Sequence, residues 1–351
     1  TGTVKATSAE GRTDEWHALR DSLTFGFWSK EKITITGTSD DATSAPIASV
    51  EYYKVKATAA SDGVTALTAK DLDKVTTWSK FTELEIASDE QFTVYIKITD
   101  LAGNYTYIST DGVIYDSTAS AITITPPAAN KYGYYNKDVV IPVSVNDAVN
   151  AGTAYSGIKS VTYTVEKNGQ KTQEGTLYTF ETKNPTYDQL KAEWSGNITV
   201  EAAKNNHDNI KVTVKVIDNA GNEYEESVVL AINIDKLTAT IDFTDTANKV
   251  VDGHGYYGDA RTATITITDR ATSFDKDAAT NGISFSAVDA KGNSVELSGD
   301  DVAIGSWTSD GDQHTATVTF NKDGNYTWSF AYTNKADNAV KDIKVEASDS
   351  P

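Results

Sequence analysis

The chain has no cysteine and no methionine, and only 6 prolines in 351 residues. Without cysteine, thiol nucleophiles, thiolate metal sites and disulfides are all excluded. Stability must then come from core burial, from a metal or from another kind of crosslink. No apolar run approaches the roughly 20 residues needed to span a bilayer, so no transmembrane helix and no membrane insertion are expected. Basic residues are few: 31 Lys and Arg face 50 Asp and Glu, for a net charge of −19. That balance argues against nucleic acid and anionic membrane surfaces as partners, and it makes divalent cations natural company. Catalytic signatures are missing as well. His17, His207, His254 and His314 are scattered, and no Gly-x-Ser-x-Gly, His-Glu-x-x-His, Walker or Gly-x-Gly-x-x-Gly pattern occurs. A triad assembled across a fold is defined by geometry rather than order, but the expectation is that this is no enzyme.

What is present is strand-forming. Thr, Val, Ile and 18 Tyr recur in alternating runs, and helical periodicity of any length is lacking. The expected fold class is all-β. One stretch is written twice: Val94-Tyr-Ile-Lys-Ile-Thr-Asp-Leu-Ala-Gly-Asn104 returns as Val212-Thr-Val-Lys-Val-Ile-Asp-Asn-Ala-Gly-Asn222. Each is an alternating strand that turns through Asp-x-Ala-Gly-Asn into a second strand. A second marker appears three times, as Phe25-Gly-Phe-Trp28, Tyr132-Gly-Tyr-Tyr135 and His254-Gly-Tyr-Tyr257, each followed by a period-two strand. Its glycines, Gly26, Gly133 and Gly255, stand 107 and 122 residues apart, and 14 residues beyond them lie Asp40, Asp147 and Asp269. These intervals fit tandem sandwich domains of about 100 residues.

The landmarks predict domains at 1–118, with a short N-terminal helical segment, at 119–238, and at 239–351. The last is divergent, with a degenerate hairpin Asn334-Lys-Ala-Asp-Asn338 that lacks the glycine, and its final strand is expected to be truncated or differently closed. Exit segments Ile114-Tyr-Asp-Ser-Thr-Ala119 and Ile234-Asp-Lys-Leu-Thr-Ala239 lead straight into the next repeat. Linkers are thus nearly absent, which predicts an elongated, stiff rod. Two segments read as helical. In 14–23 the residues Trp16, Leu19 and Leu23 share a helical face, and in 185–194 Tyr187, Leu190 and Trp194 do the same. Residues 57–66 read as a surface loop. One Trp per repeat (Trp78, Trp194, Trp307) reads as sandwich core, as does Trp328, which alternates with Tyr326 and Phe330.

The run from Trp16 through Phe25-Gly-Phe-Trp28, with Val50-Glu-Tyr-Tyr53, the Val94–Ile108 hairpin, Asp111-Gly112 and Asp116-Ser-Thr-Ala119, resembles the bacterial immunoglobulin-like repeats of Gram-positive surface proteins. Those repeats commonly close on Asp-x-Thr-Ala-Pro, whereas Ser120 follows Ala119 here. The resemblance is close over 13–119, fair over 120–238 and weak over 239–351. It implies tandem Ig-like β-sandwiches in an extracellular, cell-wall-associated stalk or adhesin, without enzyme activity and without a fixed ligand.

Two readings attach to the Asp-x-Ala-Gly-Asn turn. In the structural one, which is preferred, Asp caps the turn, Gly supplies positive φ and Asn tolerates it. In the other, Asp100 and Asp218 join Asp116 and Asp235 at the exits to hold calcium in a cluster of hard oxygens. The Gly-aromatic-aromatic marker is read as packing rather than as a sugar-stacking platform. A Lys–Asn crosslink, for example between Lys32 and Asn104, would suit a cysteine-free surface protein. The expected role is display and adhesion by a monomeric segment of a longer chain; it opens Thr1-Gly-Thr, with neither an initiator Met nor a signal peptide. A host surface or secreted protein, or a glycan, is the expected partner. The runner-up is direct recognition of a host immunoglobulin or glycoprotein, and third is a carbohydrate-binding module of a secreted glycosidase. The insertions at 57–77 and 181–209 are where added function would sit.

Overall fold

The computed structural model describes residues 1–40, 45–57, 64–149, 154–243, 247–251 and 254–344. It is built of β-strands, with two short helices among the described residues. Its contacts form two compact units: Thr1–Pro126 with Val140–Thr199 and Lys211–Val228, and Pro127–Val139 with Val200–Ile210 and Val229–Pro351.

In the first unit, the first repeat is a sandwich of two sheets. One runs Thr13–Trp16, Gly2–Ser8, Ile33–Ser39, Leu84–Ile86. The other runs Phe27–Ser29, Val113–Tyr115, Glu90–Asp100, Ile47–Lys56, Ser79–Lys80, and Tyr105–Ser109 also pairs with Glu90–Asp100. Period-two alternation divides the central strand between two cores. Phe92, Val94, Ile96 and Ile98 face inward against Val4, Ile33 and Ile35. Tyr95 faces the other way, where it packs with Leu72, Tyr107 and Trp78 in a second apolar layer. The 57–77 insertion closes that layer through the helix Ala69–Leu72, capped by Thr68. Residues 58–63 of the expected 57–66 loop lie outside the described residues.

The second repeat contributes a sheet ordered Ala121–Ile124, Val139–Asn146, Glu193–Val200. Its other sheet is ordered Tyr134–Tyr135, Glu223–Ile232, His207–Asp218, Ile158–Lys167, Gln170–Thr179. In the second unit, the third repeat pairs Thr238–Phe243, Arg261–Thr268, Gln313–Phe320 and Val302–Ile304 in one sheet. Ser294–Val295, Ile283–Val288, Asn325–Thr333 and Ala339–Lys344 form another. Trp328, Tyr326 and Phe330 are core there, as their alternation predicts.

The recurring aromatic marker has a structural role. Phe27–Ser29 runs parallel to Val113–Tyr115, and Tyr134–Tyr135 runs parallel to Ala231–Ile232. In these two copies the marker ties the start of a repeat to its last strand, whereas in the third His254–Tyr256 pairs antiparallel with Lys249–Val251. Phe25 and Phe27 of the first copy are buried, whereas Tyr132 of the second and Tyr256 of the third are exposed.

Several expectations are corrected. Residues 14–23 form no helix: Thr13–Trp16 is a strand paired with Gly2–Ser8. Trp16, Leu19 and Leu23 each enter a different apolar cluster, so their helical spacing is coincidental. In 185–194 only a 3₁₀ turn forms, at Tyr187–Gln189, and Trp194 already lies in a strand. Trp78 is not sandwich core but belongs to the layer on the opposite face of its sheet. Trp194 is half-buried against Tyr178, with ring centroids 6.3 Å apart, rather than in a core. Trp307 lies at the margin of the third repeat's core.

Candidate metal centre

The hairpin turn is a local structure that the sequence builds by itself. At Asp218 the carboxylate accepts from Gly221 N (2.7 Å), Asn222 N (2.9 Å) and Asn222 Nδ2 (2.8 Å), while Gly221 adopts φ 92°. Asp100 does the same for Asn104 N and Nδ2, at 2.9 Å each, and Gly103 has φ 88°. The degenerate third copy is built alike although it lacks the glycine. Asn334 Oδ1 accepts from Ala336 N and Asn338 N, and Asp337 takes the glycine's place at φ 61°. The sequence reading also missed a further copy, Asp289-Ala-Lys-Gly-Asn293, in which Gly292 has φ 83°. The motif is therefore first of all a turn.

At one of these turns the surroundings change the chemistry. Asp116 from the exit of the first repeat, Asp147 from the strand end in the second and Asp218 from the hairpin each offer an oxygen, and these oxygens lie within 4.8 Å of one another. All three are at most 1 % exposed. Asp116 accepts from Ser156 N (2.7 Å) and Thr118 N (3.2 Å), and Asp147 from Ser120 Oγ (2.6 Å) and Gly157 N (2.7 Å). Asn222 Nδ2 also donates to the backbone oxygen of Asp116 at 2.8 Å, so one hairpin braces two repeats. Beside the cluster, Phe25 of the first repeat meets Tyr187 of the second edge-on, with centroids 5.5 Å apart, in an apolar cluster that includes Leu23, Ile114 and Leu190.

The donors are all neutral. Burial pushes Asp116 up to about 8, with the charges of Asp147 and Asp218 adding to it. Burial followed by Asp147 pushes Asp218 up to about 7, and burial raises Asp147 as well. Among the described residues no cation pairs with any of the three, Lys30 Nζ donating instead to the Gly221 carbonyl oxygen at 3.2 Å; buried carboxylates so placed are costly unless protonated or bound to a cation. A set made only of hard oxygens suits calcium or magnesium rather than a soft transition metal.

Of the four carboxylates picked from the sequence, the structure thus unites Asp116 and Asp218 and leaves out the other two. Asp100 caps its own turn in a partly exposed position. Asp235 is bound to Arg270, Nη2 to Oδ2 at 2.8 Å. Asp147 was missed as a ligand, although its fixed distance from the Gly-aromatic marker had already singled it out as a landmark.

A family model described as bacterial Ig-like domain matches residues 12–117 and 126–231, more than half of the chain. The chain belongs to the bacterial Ig-like domain family. The two matched Ig-like segments bracket the carboxylate cluster's first junction, and the third repeat lies outside them. A comparison with curated proteins found no match. Similar solved structures include FdeC, an Escherichia coli adhesin, at 12 % identity and TM-score 0.32, covering 98 % of this chain and 97 % of that one. A tetra-tandem repeat from the extending region of a large adhesion protein is 13 % identical at TM-score 0.34, covering 97 % and 89 %. A 1.5-MDa bacterial ice-binding adhesin is 14 % identical at TM-score 0.29, covering 89 % and 88 %.

One histidine, outside the matched segments, approaches a serine. Ser309 Oγ lies 2.7 Å from His314 Nδ1, and Nε2 lies 3.0 Å from the Asp269 carbonyl oxygen. The two residues are cross-strand partners in a hairpin, and the imidazole is stacked on Phe274 at 3.7 Å. A ring clamped between a carbonyl and a phenyl is placed as core packing.

Proposed function

We propose that this chain is a non-enzymatic extracellular segment of a bacterial surface protein, which presents or forms a binding surface. It consists of Ig-like repeats at 1–118, 119–238 and 239–351, and calcium held by Asp116, Asp147 and Asp218 fastens the first repeat to the second. The burial of three carboxylates that meet at that junction and are held by neutral donors carries this reading. Family membership, the acidic balance and the lack of cysteine support it: a cysteine-free secreted array needs a staple other than a disulfide.

Thermal unfolding in calcium and in chelator tests the proposal. Calcium at a hundredfold excess over its dissociation constant should stabilise by about 2.7 kcal/mol and raise the midpoint accordingly. An identical midpoint in both buffers would remove the metal.

The partner of such a segment is proposed to be a host protein or glycan. The outer face of the larger sheet in the first repeat favours the glycan. There Tyr105 is 50 % exposed, Lys97 Nζ sits 4.6 Å from its ring centroid, and Asp73 accepts from both Tyr105 and Tyr107 at 2.9 Å. Aromatic rings flanked by charged hydrogen-bonding groups suit a sugar ring. Binding to a glycan array that disappears in Tyr105→Ala is the expected result, and no glycan bound by either protein would count against it.

A further inference from the structure

The next junction has the same frame but different chemistry. Strand register aligns the two. Ile122 pairs with Val145 and Ala239 with Ile267, and each partner stands two residues before Asp147 or Asp269. Six residues back from Ile122 and Ala239 are Asp116 and Asn233. The backbone agrees: Asp116 N donates to Ser29 O, and Asn233 N to Tyr135 O, both at 2.9 Å. Asn334 occupies the place of Asp218, and Asn338 Nδ2 donates to Asn233 O at 3.0 Å as Asn222 does to Asp116. Two of the three carboxylates are therefore amides here.

The remaining one, Asp269, is saturated. Its Oδ1 accepts from Ser273 Oγ (2.8 Å) and Asn334 Nδ2 (2.9 Å), and its Oδ2 from Tyr332 Oη (2.7 Å). Asn233 Nδ2 completes the network on Ser273 Oγ at 2.9 Å. Alongside stands a built-in cation. Arg270 donates through Nη1 to Asp208 (2.6 Å) and the Ile232 carbonyl (3.1 Å), and through Nη2 to Asn206 (2.6 Å) and Asp235 (2.8 Å). The residue following Asp147 is Ala148, so no guanidinium stands at that position of the first junction; the ammonium of Lys30 reaches only the Gly221 carbonyl oxygen there, at 3.2 Å. A guanidinium fork holds two carboxylates and a carbonyl in fixed geometry, which an ammonium does not reproduce.

We propose that the two junctions answer to different conditions: the second is locked by Arg270 and an amide network without any divalent cation, so calcium addresses the first junction alone. The statement about the first junction rests on the calcium reading above, whereas the Arg270 clamp stands independently of it.

Hydrogen–deuterium exchange on the full chain, with calcium and with chelator, separates the two. Chelation should speed exchange severalfold at 116–122, 154–158 and 218–222, and leave 233–239, 269–275 and 334–338 unchanged. Arg270→Ala should do the reverse in both buffers. Arg270→Lys, which keeps the charge and loses the fork, should give an intermediate rate at the second junction and serves where the alanine variant folds poorly. Faster exchange at the second set on chelation, or protection there that survives both Arg270 variants, would overturn the proposal. If chelation leaves the first set untouched while the variants open the second, the calcium reading fails and the clamp stands.

Discussion

At the scale of the residue, one aspartate in one turn behaves in opposite ways according to what covers it. Asp289 caps an exposed hairpin, and hydrogen bonds from Asn293 and its neighbours hold its carboxyl below the usual range. Asp218 makes the same turn bonds, yet burial and Asp147 push it up to about 7. Hydrogen bonds favour the charged form, but desolvation outweighs them once the group is fully covered. Asp289→Ala should therefore cost only a small drop in the unfolding midpoint and leave any calcium response intact. Asp218→Asn should abolish the calcium response and raise the midpoint in chelator, because it removes a buried charge. Asn334 shows that an amide can make the turn. Calorimetry of the two variants, with and without calcium, checks both outcomes. A calcium response that survives Asp218→Asn would exclude this carboxylate as a ligand.

At the scale of the element, alternation was a better guide than helical spacing. The period-two strands placed their inward faces correctly, since a one-residue slip would have turned every apolar side chain to the wrong side. The same alternation explains Trp78, because a sheet covered on both faces has two buried sides and a tryptophan can belong to either. Among the described residues, short helices form where a cap and a covering layer coincide, as at Lys276–Asn281, where Asp275 accepts from Asp277 N and Ala278 N at 3.1 Å. That helix ends at Gly282, where a Cβ would stand 1.8 Å from the carbonyl oxygen of Ala331 in a neighbouring strand. Gly282→Ala should cost about 1–3 kcal/mol, the range for overpacking. Gly299→Ala, at a position with open space and no positive φ, should be close to neutral. Denaturant midpoints measured side by side would show it, and equal midpoints would contradict the close approach.

At the scale of the whole molecule, a net charge of −19 means that protons and cations compete for the same carboxylates. Asp116 and Asp218 titrate at about 8 and about 7 in the folded chain, against about 3.9 when unfolded. Between these values the folded state holds more protons than the unfolded one. In chelator, their contribution to stability therefore falls as pH rises from about 4 to about 8. Calcium displaces those protons, so its affinity should rise over the same window. The difference in unfolding midpoint between wild type and a double Asp116→Asn, Asp218→Asn variant isolates this effect. In chelator the variant's advantage should grow from pH 5 to pH 8, and a difference independent of pH would refute the raised carboxyls.

The sequence by itself determined the all-β class, the recurring hairpin and the aspartates worth watching, because turn chemistry and strand alternation are local and periodic. It placed Asp116 and Asp218 among the candidates and marked Asp147 as a landmark. Only the tertiary structure decided which aspartates meet, for burial and charge compensation depend on groups far apart in the chain. Asp100 and Asp218 stand in nearly identical sequence, but only Asp218 is covered by a neighbouring repeat and joined by two more carboxylates. Asp235 looked like the counterpart of Asp116 until strand register assigned that place to Asn233 and left Asp235 to Arg270.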